Sequence, residues 1–322
     1  MPLTPYRRAS SATGQPPGAL PRRLRRATLV VIGCGDVGLR LIAQRIGGPD
    51  RLRIIATARR ADQLEAIRQL GAIPFACNLD DRHSLSRLAA LPNRLIHLAP
   101  PPNNGDDDRR TRLLTALYGR ITTQRRLSGQ PPARWAYIST TGVYGDCQGA
   151  KINESHTLRP SNPRSARRVA AEQTLRDFGR RSGTQLALLR APGIYAENRL
   201  PVERLRQGQP ALVPEEDVYT NHVHADDLAQ AAWVALHRTR GGRAFNICDD
   251  TDLKMGDYFD TIADALQLPR PPRMSRTDVA ARVSPMMLSF MNDSRRLSNR
   301  RMKHELRLRL KVPDVHALLA LL

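Results

Sequence analysis

The sequence predicts a doubly wound α/β fold: a parallel sheet with helices on both faces, carrying a small C-terminal lobe. Three observations lead there. Short apolar, β-branched runs alternate with stretches whose apolar positions recur at helical spacing, most of the runs are apolar at successive positions, and the first run ends in a glycine-rich turn. Strands buried on both faces read as continuous apolar runs, and alternating strands and helices supply the crossovers that a parallel sheet needs.

"TLVVIG" (28–33) is the first strand, and the "DVGLRLIAQRI" that follows has its apolar residues at helical spacing. "RIIATA" (53–58) is the second strand, and "DQLEAIRQLG" (62–71) is a helix with Asp62 as its N-cap and Gly71 as its stop. "IPFAC" (73–77), "RLIHLA" (94–99), "RWAYIST" (134–140), "QLALLR" (185–190) and "AFNIC" (244–248) are further strands, with helices expected near 84–91, 107–127, 164–180 and 225–237. After residue 195 the pattern loosens. The core, 28–195, is expected to resume at about 222–248, and 196–221 with 249–322 to form a small lobe that closes over a substrate. Residues 1–27 hold six arginines and no acid, the makeup of a disordered basic arm.

With 322 residues and 41% apolar content the chain can bury a real core. A formal charge of +21 invites a nucleic-acid or membrane reading. Against it, only four of the 51 basic residues are lysines (Lys151, Lys254, Lys303, Lys311), the arginines mix with acids through most of the chain, and 4% aromatic content leaves no stacking platform. A nucleic-acid binder therefore ranks third among the function classes. No apolar run approaches the roughly 18 residues of a membrane helix. Cys34, Cys77, Cys147 and Cys248 lie far apart, with no CxxC or Cys/His spacing, so neither a disulfide framework nor a metal site is indicated and a cytoplasmic setting is expected.

Gly33-Cys34-Gly35-Asp36-Val37-Gly38 matches G-x-G-x-x-G between a strand and a helix, the context of the Rossmann dinucleotide turn. There Gly33 makes the turn, Gly35 lets backbone approach a pyrophosphate, and Gly38 packs helix on sheet. Amides of the first helical turn, Asp36 and Val37 among them, then meet the phosphate charge. An acid at the end of the second strand would favour NAD, but Arg59 and Arg60 stand there and suit a 2′-phosphate. NADP is the expected cofactor. NAD, with the two arginines merely on the surface, is the alternative.

"LIHLAP" (95–100), "STTGVYGD" (139–146), "LLRAPGIYA" (188–196), "NHVHADDLAQA" (221–231) and "FNICDD" (245–250) follow in order. Together with the glycine turn they resemble the extended short-chain dehydrogenase/reductases, the NAD(P)-dependent epimerase/dehydratase-like group. That group's turn is G-x-x-G-x-x-G, so the chain looks like an atypical member. The resemblance implies oxidoreductase or epimerase-like chemistry on a small-molecule substrate, with hydride exchanged at a carbinol or carbonyl. It also implies that Leu98 and Ala99 lie against the dinucleotide, and that two copies pair through helices near 107–127 and 164–180.

In that superfamily a Ser or Thr orients the substrate oxygen, a Tyr exchanges its proton, and a Lys lowers the tyrosine pKa and holds the nicotinamide ribose. Thr140, four residues before Tyr144, stands at the hydroxyl position. Where Y-x-x-x-K belongs the chain reads Arg164-Ser165-Ala166-Arg167-Arg168, so Arg164 replaces the tyrosine and Arg168 the lysine. Guanidinium stays protonated, so Arg164 cannot transfer the proton, whereas Arg168 can still bond the ribose. Residues 164 and 168 share a helical face, so both cations are expected to project together, toward the site or into solvent. Tyr144 is a packing or substrate-wall residue, or a substitute acid. Asp108 caps its helix or reaches the site. His222 and His224, beside Asp226 and Asp227, open a helix or form a metal site or His-Asp relay. A non-catalytic NADPH/NADP sensor is the second function class, because a lost tyrosine suits it equally.

Overall fold

The computed structural model describes residues 27–48, 52–88 and 94–322, so the expected basic arm lies outside the described residues apart from Ala27. Seven strands form the main sheet: β1 (Thr28–Ile32), β2 (Arg53–Ala58), β3 (Ile73–Ala76), β4 (Arg94–His97), β5 (Arg134–Thr140), β6 (Gln185–Ala191) and β7 (Gly242–Asn246). All pair in parallel, in the order β3-β2-β1-β4-β5-β6-β7. In β1, Leu29 and Val31 enter the core on one face of the sheet and Val30 and Ile32 the core on the other, all fully buried. Alternate side chains point to opposite faces, so a strand covered on both sides shows no polar alternation.

Helices α1 (Asp36–Arg45), α2 (Ala61–Gln69) and α5 (Ala225–Arg238) cover one face; α3 (Arg109–Leu127) and α4 (Pro163–Ser182) cover the other. Local chemistry sets their ends. Asn162 Oδ1 accepts the Ser165 amide at 2.9 Å, Pro163 occupies the first turn where no amide partner is needed, and Gly183 ends α4 at φ +73°. Asp108 caps α3 by accepting the Thr111 amide at 3.2 Å. Helix α2 departs from expectation: Arg60 is its N-cap residue, with no side-chain cap, and Asp62 sits inside the first turn paired with the Arg60 guanidinium. The helix expected near 84–91 is the short Arg82–Ser86, capped by Asp81; residues 89–93 lie outside the described set.

A separate apolar cluster surrounds α6 (Met255–Ala265), drawing Leu205, Leu212 and Val218 from one segment and Phe259, Ile262 and Val279 from the other. The later chain divides, Val315 and Leu319 returning to this cluster while an intervening stretch goes to the main body. Arg296–Leu297 pairs with Lys151–Ile152, and Met302, Leu306 and Leu308 pack into the main core. The strand order reverses between β1 and β4, and in doubly wound sheets ligands bind in the crevice beyond the strand ends at that point.

Candidate active site

The chain leaves β1 through Gly33 at φ +78°, where an added Cβ would lie 2.6 Å from Ala99 Cβ and 2.7 Å from its Cα. Left-handed backbone and close approach together require glycine. At Gly38 a Cβ would meet Cys34 Sγ at 2.8 Å and Leu98 Cδ1 at 3.2 Å, so its absence lets α1 settle on the sheet. Gly35, the residue that opens α1, has nothing within 4 Å of its Cβ position. The three glycines thus divide into a turn, an open approach and a packing contact. Thr57 anchors the turn: its Oγ1 accepts the Gly33 amide at 2.9 Å and its carbonyl the Cys34 amide at 2.7 Å.

Beyond the turn lies a cavity of about 230 Å³, lined by Gly33 to Gly35, Thr57 to Arg59, Gln63, Cys77 to Leu79, Ala99, Pro100 and Arg110. Arg59 and Arg60 part company here. Arg59 faces the cavity, while Arg60 turns away to Asp62. Arg110 chelates Asp80 at 2.8 and 2.7 Å and donates to the Pro100 carbonyl at 3.0 Å, tying the loops after β3 and β4 together. These hydrogen bonds from Arg110 hold the Asp80 carboxyl below its ordinary pKa. Asp36 pairs with Arg40 and Arg199, each at 3.2 Å, and Val37 packs against the core. An open helix N-terminus and an exposed guanidinium beside a cavity fit an anionic dinucleotide. Thr57, Asn78 and Arg110 carry no motif. Their signal is position alone: Thr57 near the C-terminal end of β2, Asn78 just beyond β3, and Arg110 in the first turn of α3.

The other half of the crevice lies at the ends of β4 and β5. Thr140, half-buried, accepts the Gly142 amide at 3.3 Å and gives its own hydroxyl proton to no described residue. Ser139 is structural, its hydroxyl donating to Glu172 at 2.6 Å. Tyr144 is 1% exposed; its hydroxyl donates to Asn246 Oδ1 at 2.6 Å and accepts from Arg190 at 2.9 Å. Burial pushes its pKa up to about 12. Its hydroxyl makes both of these hydrogen bonds inside the fold, the arrangement of a packing residue.

Arg164 and Arg168 do not project together. Arg168 folds inward, donating to the Ile138 carbonyl at 2.7 Å and the Tyr137 hydroxyl at 2.9 Å, because the tyrosine ring and strand carbonyl give its guanidinium partners inside. Arg164 is exposed and bonds no described residue. Of the other four arginines of α4, Arg167 donates to the Gly105 carbonyl and Arg176 to the Gly242 carbonyl, Arg180 pairs with Asp177, and Arg181 stands in the last turn. They make no single basic stripe.

The histidines are interior groups. His222 stacks on Tyr258 at 3.8 Å between ring centroids, and His224 Nδ1 caps α5 by accepting the Asp226 amide. Asp227 accepts the amides of Lys311 and Val312. Asp108 bonds Thr111, whose hydroxyl also meets His97 Nε2 at 3.1 Å, so this carboxylate is spent inside the fold. Among the described residues no group of three His, Cys, Asp or Glu could hold a metal ion, and no helix is long and apolar enough to cross a membrane.

The chain is 30% identical to a functionally unknown conserved protein from Silicibacter pomeroyi, with a TM-score of 0.75 over 91% of this chain and 97% of that one. It shares the fold of the dTDP-glucose 4,6-dehydratase DesIV from Streptomyces venezuelae, solved with NAD bound, at 19% identity and TM-score 0.72, over 91% of this chain and 95% of that one. A GDP-6-deoxy-D-mannose reductase of Pseudomonas aeruginosa is 26% identical over 64% of this chain and 76% of its own. A trifunctional UDP-glucose 4,6-dehydratase/UDP-4-keto-6-deoxy-D-glucose 3,5-epimerase/UDP-4-keto-L-rhamnose-reductase of Arabidopsis thaliana is 27% identical over 38% of this chain, a match spanning only 20% of that longer relative. Residues 29–248 match the model of the NAD dependent epimerase/dehydratase family, and the chain belongs to that family.

Proposed function

We propose that the protein binds NADP(H) in the crevice of its sheet and works as an oxidoreductase or epimerase-like enzyme on a carbinol or carbonyl of a small molecule. The family is named for NAD, and DesIV was solved with NAD. Arg59, at the cavity and without a bond to any described residue, favours the phosphorylated form here. Sugar nucleotides, on which the similar reductase and dehydratases act by name, are the first substrate class to test. When bound, the nicotinamide would supply or accept the hydride. Thr140 would donate its free hydroxyl to the reacting oxygen. Arg168 would turn its unused N–H groups toward the nicotinamide ribose. The lobe around α6 would cover the substrate, α3 and α4 would pair two copies, and four free thiols support the cytoplasmic setting.

The observation that carries this reading is the division of labour among the three glycines, with Gly35 left open beside the cavity. Absorbance of the nicotinamide, followed with purified protein, NADPH and a panel of 4-keto nucleotide sugars, tests it. The expected result is saturable NADPH binding with slow turnover that Thr140→Val reduces; absence of NADPH binding would refute it. The non-catalytic sensor has its own support, since arginines replace the Tyr-Lys pair and Tyr144 is engaged. Binding without turnover across the panel would favour it.

A further inference from the structure

Three arginines at the start of α4, Arg164, Arg167 and Arg168, lie near one another, next to the loop after β4 and the turn after β5. Arg167 reaches the Gly105 carbonyl in that loop at 3.0 Å. Arg168 holds Ile138, two residues before Thr140. Arg164 precedes Ser165, whose Oγ lies 2.5 Å from where a Cβ of Gly142 would be, so this turn of α4 is seated directly against the Thr140 turn. Arg167 and Arg168 are each only 8% exposed, yet neither forms an ion pair, and Arg167 Nε has no acceptor. Nearby acids are committed elsewhere: Asp107 to Arg112, Asp108 to Thr111, Glu172 to Arg190. Although the Arg164 side chain reaches solvent, crowding by protein and the charges of Arg168 and Arg167 all lower its pKa. Buried guanidinium without a counter-charge is costly, and its planar fork matches carboxylate and phosphoryl oxygens.

We propose that Arg164 and Arg167, backed by Arg168, form a receptor for an anionic oxygen group, carboxylate or phosphoryl, that the substrate carries beside the carbon presented to Thr140. This rests on the reading that substrate meets the nicotinamide at the ends of β4 and β5. It narrows the substrate to acids: sugar acids, hydroxy or keto acids, or compounds phosphorylated near the reacting carbon. The residue at the tyrosine position holds a charge where a proton donor would otherwise stand.

The test is calorimetric titration of malonate and of inorganic phosphate into the full chain, with and without NADP⁺, at constant ionic strength made up with sodium chloride. Arg181→Ala, at the far end of the same helix, is the control for nonspecific charge. One of the anions should bind at one site per chain, malonate the tighter for a carboxylate receptor and phosphate for a phosphoryl receptor, and Arg164→Ala should weaken it about tenfold or more. Failure of both anions to saturate, or equal losses in Arg164→Ala and Arg181→Ala, would overturn the receptor. NADPH titration of the same preparations separates the two readings. Anion binding without NADPH binding would sink the nucleotide assignment and leave the receptor standing, whereas NADPH binding without anion binding would sink the receptor alone.

Discussion

Arg190 and Glu172 form a bidentate pair inside the protein, Nε to Oε1 at 3.1 Å and Nη2 to Oε2 at 2.7 Å, with Ser139 Oγ donating to the same Oε1. Their side chains are 3% and 2% exposed. The pair joins β6 to α4, and Arg190 also donates to Tyr144, so it braces the turn that carries Thr140. Removing one partner strands a buried charge: Glu172→Leu or Arg190→Leu should cost about 3–5 kcal/mol, and the double replacement should recover part of that loss. Chemical denaturation measures it. Single variants within about 1 kcal/mol of the parent would contradict the account.

The glycine turn predicts that two alanine substitutions fail for different reasons. Gly33→Ala should cost at least about 1–3 kcal/mol through its left-handed φ alone, with more from the overlap on Ala99. Gly35→Ala should leave the melting temperature nearly unchanged, because its methyl meets nothing in the protein, yet weaken NADPH about tenfold or more by occupying the phosphate approach. Paired thermal melts and cofactor titrations check this. A destabilised Gly35→Ala protein, or one that binds NADPH normally, would be the wrong outcome.

Three buried groups with large shifts contribute to acid stability. Burial pushes His97 and His222 down to about 3 and Asp249 up to about 7. Unfolded, the histidines titrate near 6.5 and the aspartate near 3.9. Near pH 5 unfolding therefore takes up about two protons on the histidines and releases about one from the carboxyl, a net uptake of about one. Their joint contribution to stability falls as pH drops from about 6.5 to about 4, by about 1.4 kcal/mol per pH unit. His222→Phe keeps the stacking on Tyr258 and removes one of the two protons, so it should flatten that slope. Denaturation midpoints across this range would decide it, and an unchanged slope in His222→Phe would count against buried neutral His222.

The strands of the sheet were legible as short apolar runs, most of them covered on both faces, although edge strand β3 is only partly buried, and the glycine turn was legible because it sits between strand and helix. What escaped depends on side chains meeting across the chain. Asp62 looked like an N-cap from its place before a helical run, but an arginine two residues earlier captures it. Arg164 and Arg168 share a helical face in register, yet Tyr137 and the Ile138 carbonyl draw one of them into the core. The Arg190–Glu172 pair links residues 18 apart through the packing of β6 on α4, and no local pattern announces it. The return of Met302 to Leu308 to the main core is hidden for the same reason.

Under the proposed NADP(H) binding, Arg59 at the cavity would read the 2′-phosphate, while Arg60 is held by Asp62. Fluorescence titration of NADPH and NADH into the parent, Arg59→Ala and Arg60→Ala proteins tests this most directly. The parent should bind NADPH more tightly than NADH, Arg59→Ala should weaken NADPH about tenfold or more while leaving NADH nearly unchanged, and Arg60→Ala should have little effect on either. Equal affinity of the parent for the two cofactors, or a larger loss in Arg60→Ala than in Arg59→Ala, would contradict it.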